Sequence, residues 1–348
     1  MHLRRLSLIL LPALVAVAAC SKNYTGYVPD ESMVFSAVAS HSVKSIITTT
    51  NYPLDEPFAV EAVYYPHWQS TGGSRFMSGE IVEYRFEDAT WRPRHDYYWP
   101  QNGSLVFYAG SPILPEVTFS TEHGVEADWS IPSGEDTQTD FCYAKAVEDC
   151  AAHPVSVPVV FNHALSQICF KARTQANYSY SRTEGNMIQA NVITTVLDSV
   201  KLRGVISRAQ FTQEPLGWTH DLSETAEYVV YRSEEGLPLH CDRYDSPILY
   251  SLSTMLLIPQ KLRDEIIIEE WHHEVVRSSI TDSVTKEIVS DETYTVPYNT
   301  SLHLSDYCTE WLMDFKYTFR IAVGQDSTEI TSAVTDWTET KEIIIGDE

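Results

Sequence analysis

The sequence predicts an all-β protein made of stacked β-sandwiches. Its apolar runs are short, and they are separated by Pro, Gly, Asn and Asp, which favour turns. Tyr and Thr, which suit the pleated surface of a sheet, are frequent between these turns. No long segment carries the apolar spacing of an amphipathic helix. Many short strands over a chain of this length are typical of β-sandwiches.

The clearest strand prediction covers residues 315–323. Aromatic and aliphatic residues alternate there with Lys316, Thr318, Arg320 and Ala322. A period of two indicates a strand with one buried face. Residues 196–202 alternate in the same way.

Three further segments are predicted as strands. Residues 154–161 place Val155, Val157, Val159 and Phe161 on one face, and Pro158 indicates an edge position or a bulge. Residues 255–258 and 266–268 are apolar throughout, which suits strands in a core. By contrast, residues 111–153 are rich in Pro, Gly and acids, and predict a long acidic loop or a poorly ordered segment.

The N-terminus has the features of an export signal. Arg4 and Arg5 precede an apolar run over residues 6–17, which is too short to span a bilayer. The segment closes with Val-Ala-Ala before Cys20, which predicts a lipoprotein signal peptide over residues 1–19 and lipidation of Cys20. The alternative is an ordinary secretory signal in which Cys20 has no role.

The net charge restricts the possible partners, and the chain length indicates the number of domains. Removing residues 1–19 takes away two arginines and lowers the formal net charge from −24 to −26. Such a charge repels phosphate backbones, so we exclude nucleic acid as a partner. The remaining 329 of 348 residues suit two domains. Because regular strand pattern resumes at Val155, the predicted domains are residues 20–154 and 155–348.

Five cysteines remain after Cys20, and an odd number cannot pair completely within one chain. No CxxC spacing suggests a zinc ribbon or a thioredoxin-like site. Cys142 and Cys150 could close a small loop in an oxidising compartment. Cys169 lies in an apolar run and is expected to be a buried thiol, whereas the pairing of Cys241 and Cys308 stays open.

The sequence predicts no catalytic, cofactor-binding or metal site. His272 and His273 lie among glutamates, but a strand directs adjacent side chains to opposite faces, and no HExxH motif is present. We therefore expect a solvated, charged strand there. His163 is expected to be a hydrogen-bonded structural residue. Nucleophile-elbow and phosphate-loop motifs are absent, which argues against an enzyme.

Several motifs together resemble the fimbrillin family, the subunits of lipoprotein-derived type V pili of Gram-negative bacteria. In chain order they are Tyr97-Tyr98-Trp99-Pro100 with Leu105-Val106-Phe107-Tyr108-Ala109, Asp140-Phe141-Cys142-Tyr143-Ala144, Phe161-Asn162-His163-Ala164-Leu165-Ser166-Gln167-Ile168, Leu257-Ile258-Pro259-Gln260, and residues 315–331 followed by Trp337. The resemblance implies two tandem transthyretin-like β-sandwich domains and a role in surface pili or adhesion. It implies as partners other pilus subunits, the outer membrane through the lipid, and a host or bacterial surface receptor.

The resemblance also implies assembly by strand exchange. A protease cuts at a basic residue beyond the first strand, and a neighbour's C-terminal strand fills the groove that is left. Residues 33–38 are a plausible first strand, and Lys44 is the first basic residue beyond it. Stalk subunits are usually cut at arginine, so lysine leaves polymerisation open. A solvated loop residue is the alternative for Lys44.

The C-terminal tail supplies a candidate donor strand. Residues 337–348 would span about 40 Å when extended. Trp337, Ile343, Ile344 and Ile345 would supply its anchoring side chains. The alternative is a last strand that pairs within its own domain.

Two other functions stay open from the sequence. A glycan-binding surface lipoprotein would use Trp91, Tyr97, Tyr98 and Trp99 as stacking platforms, although the same residues suit packing. A secreted hydrolase with an unrecognised site is the second. Short Asp-Ser-Val and Asp-Ser-Thr segments at Ser199, Ser283 and Ser327 resemble O-glycosylation acceptors of bacteria with such pili.

Overall fold

The computed structural model describes residues 32–39, 52–67, 72–175, 178–242, 246–324, 328–336 and 343–345. Within them the chain forms β-strands and two short 3-10 helices, Glu135–Thr137 and Leu304–Asp306. The predicted all-β fold class is therefore confirmed.

The strands follow one another along the chain with short connections. In order they are β1 (Phe35–Ala39), β2 (Phe58–Tyr65), β3 (Ser74–Arg85), β4 (Thr90–Pro93), β5 (Ser104–Ser111), β6 (Val117–Ser120), β7 (Gly124–Ser130), β8 (Cys142–Asp149), β9 (Val157–His163), β10 (Ser166–Thr174), β11 (Tyr178–Glu184), β12 (Met187–Ile206), β13 (Arg208–Thr212), β14 (Gly217–His220), β15 (Thr225–Leu239), β16 (Tyr250–Leu257), β17 (Ile267–Asp282), β18 (Ile288–His303), β19 (Phe315–Val323), β20 (Thr328–Asp336) and β21 (Ile343–Ile345).

Seven strands of the N-terminal part form a sheet that closes on itself. Their hydrogen-bonded order is β1-β4-β3-β2-β5-β8-β9, and β1 returns to β9. Inward-facing residues of these strands form one hydrophobic cluster, which includes Phe58, Phe107 and Phe161. Closure leaves this sheet with few unpaired edges.

A four-stranded sheet joins the early and late parts of the chain. Its order is β14-β13-β7-β6, and Trp129 of β7 pairs with Ala209 of β13. The acidic loop predicted over residues 111–153 is therefore wrong, because β6, β7 and β8 all lie in it. Val125, Ala127 and Trp129 are buried on one face of β7, and their strand partner comes about 80 residues later in the chain.

Two larger sheets form the C-terminal part. One has the order β16-β10-β19-β20-β21, and the other has the order β11-β12-β17-β18 with β15 also pairing with β12. A second hydrophobic cluster, which includes Phe170, Leu257 and Phe319, fills the space beside them. The strand predicted over residues 315–323 is confirmed with the same bounds as β19, but Thr318 and Ala322 on its second face are buried as well, so the prediction of a single buried face is wrong.

The described residues from Ser32 onward belong to one compact unit. The predicted boundary falls just before β9, and this strand pairs with β1 and β8. The division into domains 20–154 and 155–348 stays a prediction, and so does the tandem arrangement.

Candidate strand-exchange site

The strand predicted at residues 33–38 is present as β1, and it closes the N-terminal sheet. It runs parallel to β9 over five residue pairs, from Phe35 with Val157 to Ala39 with Phe161. On its other side it meets β4 at one pair, Phe35 with Trp91. The strand is thus held mainly by β9.

Alternate side chains of this segment enter the core. Met33 and Phe35 are 1% and 3% exposed, whereas Val38 on the opposite face is 38% exposed. The Phe35 ring lies 6.3 Å from Phe58 and 5.8 Å from Phe107, in edge-to-face geometry. Burying each such side chain contributes about 1.5–3 kcal/mol. Without β1, the core would be open along the seam between β9 and β4 that this strand fills.

Backbone hydrogen bonds hold both sides of the segment. The N–H of Met33 donates to the carbonyl of Tyr97 over 2.7 Å, and the N–H of Val157 donates to the carbonyl of Val34 over 2.8 Å. If this segment were removed, the carbonyl of Tyr97 and the N–H of Val157 would need new partners, because buried backbone groups are costly when left unpaired. An incoming extended strand can supply them.

The end of the chain lies beside another sheet. β21 pairs antiparallel with β20 through three residue pairs, from Ser332 with Ile345 to Val334 with Ile343. This is the arrangement in which the last strand pairs within its own chain. Whether Ile343, Ile344 and Ile345 are also donated to a neighbour stays a prediction. Cys20, Lys44 and Trp337 lie outside the described residues.

A cluster of polar side chains lies where β8 begins and β9 ends. Nδ1 of His163 lies 2.7 Å from Oδ2 of Asp140 and 3.4 Å from Sγ of Cys142. His163 is thus hydrogen-bonded, as predicted. Burial, followed by the charges of Asp140 and Asp314, raises the pKa of the Cys142 thiol well above its usual value. Sequence analysis does not find this cluster, because the strand pairing brings its members together.

The five described cysteines form no disulfide bond with one another, so the loop suggested between Cys142 and Cys150 is not closed in the structure. Cys142, Cys150 and Cys169 are buried, which confirms the expectation for Cys169. Cys150 lies at the end of β8 against the N-terminal cluster, and burial raises its pKa to about 11.

The glutamates around His272 are a second buried polar group. Glu270, His272 and Glu274 are at most 2% exposed, so the solvated strand predicted here is wrong for these three residues. His272 Nδ1 lies 2.9 Å from Glu270, and the hydroxyl of Thr328 donates to the same carboxylate over 2.9 Å. His273 faces the other side of β17, beside Asp198. Adjacent histidines therefore do point to opposite faces.

The aromatic residues near residue 97 are largely engaged in packing. Trp91 is 4% exposed, and Trp99 stacks on His153 at 4.7 Å between ring centroids. The hydroxyl of Tyr97 donates to Glu80, while the Tyr98 side chain is exposed. These rings do not form a shared open platform for a sugar.

Among the residues that the structure describes, none belong to a helix long and apolar enough to cross a lipid bilayer.

Comparison with known proteins gives one family. The profile of a family described as fimbrillin-like matches residues 58–337. No curated protein is significantly similar to the chain.

Several solved structures are similar to this chain at low sequence identity. A candidate cell adhesion protein from Bacteroides uniformis is 13% identical, with a TM-score of 0.49, and the match covers 88% of this chain and 99% of that one. The fimbrial anchor protein Mfa2 from Porphyromonas gingivalis is 11% identical, with a TM-score of 0.33 and coverage of 88% and 98%. A fimbrial assembly protein from Parabacteroides distasonis is 9% identical, with a TM-score of 0.38 and coverage of 90% and 99%. At these similarities, the assignment to a family rests on the sequence profile.

Proposed function

The chain belongs to the fimbrillin-like family, and we propose that it is a non-enzymatic structural subunit or adhesin of a surface pilus, assembled by β-strand exchange. Its partners are then other pilus subunits and a receptor on a host or bacterial surface. This function needs no cofactor.

One observation carries the proposal: β1 is a short strand at the start of the described chain, and it fills a seam in an otherwise complete core. It brings Met33 and Phe35 into the aromatic cluster and pairs with β9 along its whole length. A cut at Lys44 would separate this strand from the rest of the chain. The vacated seam would offer both a hydrophobic groove and unpaired backbone groups, which are the two things a donor strand needs.

The donor in this proposal is the C-terminal tail of a neighbouring copy. Residues 337–348 are long enough, at about 40 Å extended, to line the full length of β9. Trp337 and the three isoleucines would supply large apolar side chains for the pockets that Met33 and Phe35 leave. In a copy that donates its tail, the three residue pairs between β21 and β20 must first open.

The lipid on Cys20 would anchor the newly exported chain to the outer membrane. Cleavage at Lys44 would release the chain from that anchor, so processing and assembly are coupled in the proposal. An uncleaved chain would stay attached, which is the expected state of an anchor subunit.

The test is the N-terminal sequence of the protein, determined separately from outer membranes and from sheared surface material. The proposal expects sheared, high-mass material to begin just after Lys44 and to lack lipid. Lys44→Ala should block this processing, and Lys44→Arg should preserve it as the matched control. If every copy retains an acylated Cys20 and no high-mass form exists, polymerisation by strand exchange is rejected.

Glycan binding is the second candidate, and one groove favours it. The groove is open and has a volume of about 500 Å³. Its lining is mainly apolar and includes Trp218, Leu222 and Met313, together with His220, Lys261 and Arg263. Trp218 is held in place because its indole N–H donates to the carbonyl of Ala164 over 2.8 Å. A fixed ring beside the cationic side chains of Lys261 and Arg263 is a suitable surface for a sugar.

Affinity electrophoresis through polysaccharide gels separates the two candidates. Glycan binding predicts retention that Arg263→Ala weakens, whereas Arg94→Ala, in an exposed ion pair with Glu83 on another sheet, leaves it unchanged. Unretarded migration on every polysaccharide tried removes this candidate and leaves the pilus proposal untouched.

A further inference from the structure

Three potential metal ligands lie close together at the junction between β8 and β9. Asp140 lies two residues before Cys142, and Cys142 pairs directly with His163 across the two strands. One ligand atom from each residue lies within 4.8 Å of the others. Cys142 and His163 are 8% and 1% exposed, and Asp140 is partly buried.

The spacing of these atoms is close to that of a tetrahedral metal site. Sγ of Cys142 lies 3.4 Å from Nδ1 of His163 and 3.5 Å from Oδ2 of Asp140. Tetrahedral zinc, with bonds of about 2.0–2.3 Å, holds its ligand atoms about 3.3–3.6 Å apart. The distance from Nδ1 to Oδ2 is 2.7 Å, that of a hydrogen bond, and it would lengthen when a metal replaced the proton.

The geometry points to a zinc-binding site formed by Asp140, Cys142 and His163, with the fourth tetrahedral position open to water. Thiolate, imidazole and carboxylate are the three ligand types that zinc uses in proteins. The proposal is independent of strand exchange, since it concerns only contacts within one copy.

The charges of the cluster suit a divalent cation. One thiolate and one carboxylate neutralise Zn²⁺, and the imidazole binds as a neutral ligand through Nδ1 with its proton on Nε2. Binding breaks the S–H bond of Cys142, forms a Zn–S bond and releases one proton to solvent. Oδ1 of Asp140 is buried and makes no hydrogen bond within the described part of the chain. It is thus available to a metal or to a metal-bound water.

The location gives such a metal a mechanical role. Only two residue pairs join β8 to β9, and one of them is Cys142 with His163. The cluster also lies where the two hydrophobic clusters meet, because Phe141 belongs to one and Cys142 to the other. A zinc ion would therefore clamp one of the two most weakly paired junctions of the closed sheet, the other being the single pair between β1 and β4.

The test is metal titration of the full chain under reducing conditions. Cobalt, which replaces zinc and is visible, should give one equivalent of binding with a sulfur-to-cobalt charge-transfer band, and zinc should displace it. Zinc should also raise the melting temperature. X-ray absorption of the zinc-loaded protein should report one sulfur and two or more nitrogen or oxygen ligands. Absence of the charge-transfer band, or a zinc site without sulfur, overturns the proposal.

Variants assign the ligands. Cys142→Ser should abolish the band, because the band requires the thiolate ligand. Cys142→Ser and His163→Ala should each weaken zinc binding by more than the factor of about 10–100 that is typical of a residue that only orients a ligand. Cys150→Ser is the matched control, because this thiol is also buried, at the other end of β8, and should leave binding unchanged. A band that persists in Cys142→Ser or disappears in Cys150→Ser places the metal elsewhere and contradicts the site.

Discussion

The first and last described strands are held in very different ways. β1 pairs over its full five residues with β9 and places a phenylalanine in the core, whereas β21 pairs over three residues with β20 and lies at the end of its sheet order. Losing β1 would open a core, whereas losing β21 would remove three residue pairs at the end of a sheet. This contrast is consistent with the proposed strand exchange, in which β1 is removed from the core and the C-terminal tail is donated to a neighbouring copy.

The largest effect is expected for Phe35→Ala. This ring contacts Phe58 and Phe107 and is 3% exposed, so its removal should lower the free energy of unfolding by about 3–5 kcal/mol. Val38→Ala on the outer face of the same strand should change it by less than about 0.5 kcal/mol. Urea unfolding measures both variants. Equal losses would show that β1 does not plug the core.

A smaller loss of stability is expected when residues 343–348 are deleted. Backbone hydrogen bonds of a three-residue ladder contribute about 1–2 kcal/mol in total. Assembly should nevertheless stop completely, because the donor is gone. Urea unfolding and gel analysis of unboiled surface material measure the two effects. High-mass ladders from the deleted chain would contradict donation of the tail.

Alkaline pH should separate wild type from Cys150→Ala. Burial raises the folded-state pKa of the Cys150 thiol to about 11 from a usual 9.0, so the unfolded chain loses the proton first. The neutral thiol's contribution to stability is fully present below pH 9 and is lost as the pH rises toward 11. Denaturant titrations at about pH 8 and pH 10 should therefore show a smaller pH-dependent loss in Cys150→Ala. An identical loss in both proteins would refute the assignment.

The smallest effect is expected for Arg208→Ala. Arg208 donates two hydrogen bonds to Asp128 across β7 and β13, and it holds the pKa of that carboxyl below its usual value. Stability from this pair is present above the usual carboxyl pKa and is lost as the pH falls through the lowered one. Both side chains are exposed, so the decrease in melting temperature at neutral pH should be slight and should vanish in high salt. A large, salt-independent decrease would mean that Arg208 contributes through packing.

Sequence periodicity located the strands whose alternation is strong and uninterrupted. β19 is the clearest case, because five large apolar residues alternate along its sequence without a break. β7 was missed because only three apolar residues alternate there, among acids and prolines, and its partner β13 is remote in the chain. The composition of this segment is typical of a loop, so the strand was not predicted, although pairing with β13 stabilises it.

Burial of charged groups was harder to predict than strand position. Glu270, His272 and Glu274 have the same parity along β17 as buried Ile268 and Val276, so the alternation was a usable signal. Composition suggested a solvated face, and Thr328 on β20 supplies the hydrogen bond that no local pattern reveals. The Asp140, Cys142 and His163 cluster likewise depends on the register of β8 against β9.

Disulfide trapping of the C-terminal tail is the sharpest test of assembly by strand exchange. Ile344→Cys combined with Ala333→Cys reports the tail on β20 of its own chain, because these residues are paired in register. Ile344→Cys combined with cysteines placed singly at residues 158–161 of β9 reports the tail in the seam that β1 vacates. Single-cysteine variants control for the native thiols.

In sheared surface material, we expect cross-links from the tail to β9 of another copy, seen as a ladder that reductant collapses. Cross-links confined to Ala333 within single chains, with no ladder from any β9 position, would contradict assembly by strand exchange.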